Sequence, residues 1–285
     1  MGDTGAAFEL PEELVDELCT RLGVGRPIDD AGVTALYDAW KAEVPFDPVA
    51  KILAVQEGRT PPGADPIDVC ERFLVTGLGG TCWGQVALLA AVLGAAGVRA
   101  SVAVDRMLVE HVDFHAFVVA ALDGGDVVLD PIHATGRPLP FEAGASGAHG
   151  PYRSGFEAAG RRLQHWFVNP DRADLAVPYV VLATDLDRAD VQAFSEIASR
   201  FSGVNARRLF LRRFPPDAMV KAGRADDGRL LRTTYTADGC TTTTHDEVDD
   251  VLRALGVSPA ALDLAAQAGL VRVRGGRVEL LVLDP

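Results

Sequence analysis

Apolar residues recur at helical spacing through the first hundred positions and then switch to strand alternation. Val33, Leu36, Tyr37 and Trp40 fall at i, i+3, i+4 and i+7 behind Asp29 and Asp30, which can cap a helix that Pro45 ends. Pro11 to Leu22 has the same character. Pro66 marks the first turn of another helix reaching about Val75, where Gly77-Leu78-Gly79-Gly80 breaks it. Thr81 then stands as N-cap of an amphipathic helix carrying Val86, Leu89, Ala90 and Leu93, with Gly97 placed to terminate it. From Val98 the period becomes two. Val98 to Asp105, Phe114 to Leu122 and Asp126 to Asp130 read as strands, the last two joined around Asp123-Gly124-Gly125. Ala143 to Gly150 reads as a flexible loop, and Arg162 to Val168 and Tyr179 to Ala183 resume strand character. Beyond Asp187 the pattern predicts a helix over Asp190 to Phe201, strands near Leu230 to Tyr235 and Val278 to Leu283, and helices near Glu247 to Leu255 and Ser258 to Ala268.

Composition narrows the function. Of the 285 residues, 48% belong to the hydrophobic set, enough for one large core or two to three smaller ones packed together. The net charge of -13 repels nucleic acid and anionic membrane surfaces alike, so neither is an expected partner. Met1 to Leu10 has no basic segment leading into an apolar run, and no stretch is apolar enough to span a bilayer, which predicts a cytoplasmic protein. Cys19, Cys70, Cys82 and Cys240 lie far apart without a CxxC pair, an arrangement that favours neither a disulfide framework nor a metal site.

Cys82 has the setting of a nucleophile. A glycine-rich turn presents it in the first turn of a helix, where unpaired backbone N–H groups and the helix dipole favour a thiolate. Gly79 and Gly80 before it would let a substrate approach the backbone. Cys19 and Cys70 sit in apolar helix faces and read as packing residues. His115 begins the strand Phe114 to Leu122, and Asp130 closes the next one as Leu129-Asp130-Pro131. A cysteine on a helix N-terminus followed by a histidine and a carboxylate on neighbouring strands supplies nucleophile, base and orienter. Iodoacetamide is accordingly expected to label Cys82 alone. The numbers 115 and 130 have opposite parity, so any even-length hairpin loop puts both side chains on one face. A Gly124-Gly125 turn, however, pairs Asp130 with Val119, roughly 13 Å along the strand from His115, so a triad requires a turn centred near Leu122-Asp123 or a bulge.

These residues resemble the transglutaminase-like cysteine superfamily, and in particular its arylamine N-acetyltransferase branch. The likeness rests on Gly80-Thr81-Cys82-Trp83, His115-Ala116-Phe117 and Asp130-Pro131, joined by Val44-Pro45-Phe46 and the glycine pair Gly79-Gly80. It runs from about Leu14 to Leu139. The branch pattern Arg-Gly-Gly-Tyr-Cys-Phe-Glu is broken by Leu78, Thr81, Trp83 and Gly84, and its glycine-rich segment after the aspartate is replaced by Pro131-Ile132-His133-Ala134.

The resemblance implies an α+β fold around a papain- or transglutaminase-like core. A helical bundle over 1–97 would carry the nucleophile, an antiparallel β-barrel over 98–187 the histidine and aspartate, and residues 188–285 would form an α/β lid. It implies a ping-pong acyltransferase with Cys82, His115 and Asp130 as triad, an acyl thioester as donor and an amine as acceptor. No cofactor is expected to be bound; coenzyme A thioester is the expected co-substrate, ahead of an acidic acyl carrier protein. Gln85 and Trp83 are placed to support the site, Gln85 as an oxyanion donor, and Arg207, Arg208, Arg212 and Arg213 form the one basic cluster suited to donor phosphates. His111, Asp113 and His133 read as structural or solvent-facing. The same residues also fit a transglutaminase-like amidase or peptidase, or a binding protein of the same fold without catalysis.

Overall fold

The computed structural model describes residues 8–27, 29–61, 63, 65–108, 114–133, 136–168, 176–201, 210–224, 229–245, 258, 260–267, 271–274 and 277–280. It opens on helices α1 (Glu12–Leu22), α2 (Asp30–Glu43), α3 (Val49–Gln56), α4 (Pro66–Thr76) and α5 (Cys82–Ala95). Asp29 caps α2 by accepting from Gly32 N at 2.7 Å, and Val33, Leu36, Tyr37 and Trp40 turn fully inward. Asp65 caps α4, with Pro66 at its first position. α3 carries no clear start or stop signal and was not expected. α5 is not amphipathic: every residue from Trp83 to Leu93 is buried, so it is the central helix of the core and needs no polar face.

Strands β1 (Ala100–Met107), β2 (Phe114–Leu122), β3 (Gly125–Leu129), β4 (Leu139–Pro140), β5 (Ser146–His149), β6 (Tyr152–Ala159), β7 (Arg162–Val168) and β8 (Ala176–Leu186) follow. They form one antiparallel sheet in the order β4-β3-β2-β1-β8-β7-β6-β5, curled into a nearly closed barrel. The segment expected as a flexible loop therefore contains β5, which a glycine-rich sequence with little alternation conceals. One face of β1 and β2, through Val102, Val104, Ala116, Val118 and Ala120, packs on the helices with α5 at their centre. The other face, through Ala103, Phe117 and Val119, joins Val128, Leu139 and Phe156 in a second core.

Helix α6 (Arg188–Phe201) returns to the helical layer, laying Phe194 flat against Trp83 with ring centroids 5.9 Å apart. Strands β9 (Phe210–Arg213), β10 (Ala218–Arg224), β11 (Leu230–Thr236) and β12 (Gly239–His245) make a second antiparallel sheet, and helix α7 (Ala260–Gln267) precedes a hairpin of β13 (Val271–Arg274) and β14 (Arg277–Leu280). β9 is tied to the first helices by a two-way backbone bridge between Phe46 and Arg212 and by Phe214 N donating to Lys41 O. The helix expected near Glu247 to Leu255 lies outside the described residues. No helix among the described residues is long and apolar enough to cross a membrane.

Candidate active site

Cys82 is the first residue of α5, partly exposed, behind Thr81 at the N-cap position. The turn that delivers it is held from three sides. Asp47, buried, accepts from Gly80 N at 2.7 Å and from Val49 N at 3.0 Å. Gln85, also buried, donates to Pro45 O at 3.0 Å and to Gly80 O at 3.2 Å, while its carbonyl accepts from Trp40 Nε1 at 3.1 Å. The side-chain amide of Gln85, expected as an oxyanion donor, thus donates to backbone carbonyls on two segments, Pro45 and the glycine turn. The glycines also serve packing: a Cβ on Gly79 would lie 2.4 Å from Pro45 O and 2.5 Å from Val44 Cγ1. Close approach of the Val44-Pro45 segment, rather than of a substrate, requires glycine there. Asp47 carried no sequence signal beyond its place next to the Val-Pro-Phe segment.

The hairpin register differs from both expectations. Leu122 pairs with Gly125 and Val118 with Leu129, so Asp123-Gly124 make the turn and Gly125, at φ +117°, supplies a backbone conformation that other residues rarely adopt. Continued by one residue, this register sets Asp130 opposite Phe117, two residues from His115 on the same face. Asp130 stands just past the end of β3, and its carboxylate crosses the diagonal: Oδ2 lies 2.8 Å from His115 Nε2. Its Oδ1 accepts from Ile132 N and His133 N, both at 2.9 Å, so the residue is a turn former and a histidine partner together. Tyr37 OH, reaching from α2, donates to Asp130 O at 2.8 Å. Cys82 lies near enough to His115 to act on its charge, and with Nε2 taken by Asp130 the ring nitrogen left to face a nucleophile is Nδ1.

Burial by itself would push His115 down, yet the charge and hydrogen bond of Asp130, the neighbouring Cys82 and the charge of Asp105 hold it well above the usual histidine range. Burial would likewise push Asp130 up, but His115 and His133 hold its carboxyl well below the usual carboxylate range. His133, expected to be structural or solvent-facing, is buried and faces the same carboxylate. Its Nδ1 is 3.5 Å from Asp130 Oδ2, its ring lies 4.1 Å from that of His115, and it stacks on Phe167 at 3.9 Å. Burial and the neighbouring His115 charge push it well below the usual histidine range. His115, Asp130 and His133 put three potential metal-ligand atoms within 4.8 Å of one another. The 2.8 Å nitrogen–oxygen spacing is that of a hydrogen bond, shorter than the roughly 3.3 Å that tetrahedral bonds of about 2.0–2.1 Å would impose.

No protein-family model matches the sequence, and no curated protein does either. Solved structures do match. The arylamine N-acetyltransferase of Mycobacterium marinum, in complex with CoA, superposes with a TM-score of 0.73 at 15% identity, over 89% of this chain and 98% of that one. The Salmonella typhimurium enzyme gives 0.72 at 15% identity over 91% and 99%, and the M. tuberculosis enzyme 0.71 at 18% over 87% and 94%. The fold is that of the arylamine N-acetyltransferases. The arylamine N-acetyltransferase fold thus covers nearly the whole chain, well past Leu139 where the sequence likeness fades.

The remaining expected site residues divide. Trp83 is buried under Phe194, its Nε1 without a hydrogen-bond partner among the described residues. Arg212 donates to Tyr152 OH at 3.1 Å and lies over Phe46, Tyr152 and Phe214, and Arg213 faces Glu43 at 3.9 Å. Both arginines, expected to meet donor phosphates, are packed into the joint between β9 and the helices. Arg207, Arg208, His111 and Asp113 lie outside the described residues. Asp105 and His165, which sequence reasoning missed, form a second buried pair, His165 Nδ1 to Asp105 Oδ2 at 2.8 Å. The available signal was a charged residue at a core-facing position of each strand: Asp105 shares the parity of Ala103, and His165 that of Phe167.

Proposed function

We propose that this chain is a cysteine-dependent acyltransferase that moves an acyl group from a thioester, acyl-CoA first, to an amine through an acyl-enzyme on Cys82. The observation that supports it most is the buried His115–Asp130 hydrogen bond set close to Cys82 at the head of α5. In the first half-reaction the Cys82 thiolate attacks the thioester carbonyl, the carbon–sulfur bond to the donor breaks, and the departing thiol takes the His115 proton. In the second, the acceptor amine attacks the acyl-enzyme, His115 takes its proton, and the thiolate is restored. Gln85 N is the first amide of α5 to bond back along the helix, to Thr81 O, so the amides before it are the donors for the oxyanion. Gln85 and Asp47 hold the turn that aims them.

The CoA complex of the M. marinum structure supports coenzyme A as the donor's carrier here. An acidic carrier protein is the weaker reading, because a surface of net charge -13 repels it. We retain the division at 97/98 and 187/188, with the last part closing over the site through Phe194 and β9. The test is intact-mass analysis after incubation with acyl-CoA. An acyl adduct on the Cys82 peptide that an arylamine then discharges is the expected result, lost in Cys82→Ala. An enzyme that hydrolyses amides and takes no label from thioesters would instead be an amidase, and a Cys82 inert to every donor would leave a binding protein.

A further inference from the structure

Two carboxylates, not one, face His115. Asp105 of β1 is directly opposite His115 in the register with β2, so both side chains leave the same face of the sheet, with Cβ atoms about 5 Å apart. Asp105 is fully buried, and the one side-chain hydrogen bond described for it is to His165 of β7, itself fully buried. His165 stands in a box of rings: Phe156 at 4.9 Å, Phe117 at 6.0 Å and Tyr179 at 6.2 Å, with His133 at 5.9 Å and His115 at 6.3 Å. A carboxylate buried in such surroundings is costly for the fold, and its field on neighbouring charges is correspondingly strong.

We propose that Asp105 and His165 are positioning residues: a second carboxylate–imidazole pair, fixed by the aromatic box, that keeps the His115 imidazolium charged beside the Cys82 thiolate. The proposal rests on the Cys82–His115 reading above. The ionisable groups facing His115 are Cys82 from α5, Asp105 from β1, Asp130 and His133 from the turn after β3, His165 from β7 and Tyr179 from β8. The His115 charge holds His133 down, whereas the two carboxylates favour the proton on His115. Asp130 makes the direct bond, and Asp105 acts through space. His165 holds Asp105 at the distance where that charge is felt.

The experiment is a pH titration of the His115 ring in protein carrying ¹³C-labelled histidine, the resonance assigned by its loss in His115→Gln. Asp105→Asn should lower the His115 midpoint by about one pH unit, the size expected on removing an opposite charge at this range, and the alkaline limb of kcat/KM should fall with it. His165→Gln can still donate to Asp105 and should leave the midpoint in place, while His165→Phe strands the carboxyl and should lower it as Asp105→Asn does. If Asp105→Asn does not fold, the Asp105→Asn/His165→Gln pair keeps an amide hydrogen bond in the box and removes the same charge. A raised wild-type midpoint that Asp105→Asn leaves unmoved overturns this proposal alone. A wild-type midpoint in the ordinary histidine range, with no acyl-enzyme on Cys82, overturns the reading beneath it.

Discussion

Asp130 uses its two oxygens for different ends, and that separates two substitutions. Asparagine keeps an acceptor for Ile132 N and His133 N, so Asp130→Asn should retain the fold while lowering turnover by about 10⁴-fold, because an amide facing Nε2 favours the wrong imidazole tautomer and removes the charge. Asp130→Ala loses the turn as well, and circular dichroism melts should show it less stable than Asp130→Asn. Near-normal turnover in Asp130→Asn would reduce the residue to turn chemistry. His133 titrates in the opposite sense to His115. Its folded pKa lies below its unfolded value of about 6.5, so the unfolded chain binds the extra proton and stability falls as pH drops below that value. His133→Phe, which keeps the stack on Phe167, should therefore reduce the acid-side slope of unfolding free energy by up to about 1.4 kcal/mol per pH unit, read from urea midpoints over a pH series. An unchanged slope would mean that His133 is protonated in the folded state.

At the scale of elements, the site depends on how the glycine turn meets α5. Gly79→Ala would force a methyl against Pro45 O and Val44, and is expected to cost about 1–3 kcal/mol and to slow Cys82 alkylation, since the turn can yield only by moving Gly80 and Cys82. Normal reactivity at normal stability would show that the turn relaxes freely. That a glycine-rich turn precedes a helix is written in the chain; that Val44-Pro45 presses on it is not, because the two segments are more than thirty residues apart. The hairpin teaches a similar lesson. Side-chain parity constrains which face His115 and Asp130 share, but the register depends on which residue takes the positive φ, and three consecutive candidates, Asp123, Gly124 and Gly125, offer no local preference strong enough to decide.

Over the whole molecule, the four cysteines divide by environment. Burial pushes Cys70 up to about 12 and also raises Cys19, so both should stay silent to iodoacetamide at neutral pH. Cys240 is exposed on β12, so solvent reaches it as well as Cys82. Mass spectrometry should find Cys82 and Cys240 labelled, with His115→Gln slowing Cys82 and leaving Cys240 unchanged; equal slowing of both would mean a global effect. The sequence by itself determined the helices with clear caps and the core strands β1, β2 and β7, and it singled out Cys82, His115 and Asp130 as candidates, because these rest on local signals: periodicity, capping and residue type. Only the tertiary structure decided that Gln85 is held by the backbone of the glycine turn, that Arg212 and Arg213 are packed into a joint, and that His133, His165 and Asp105 surround His115. Those outcomes are set by which partners distant segments bring, and partners far apart along the chain leave no mark on local pattern.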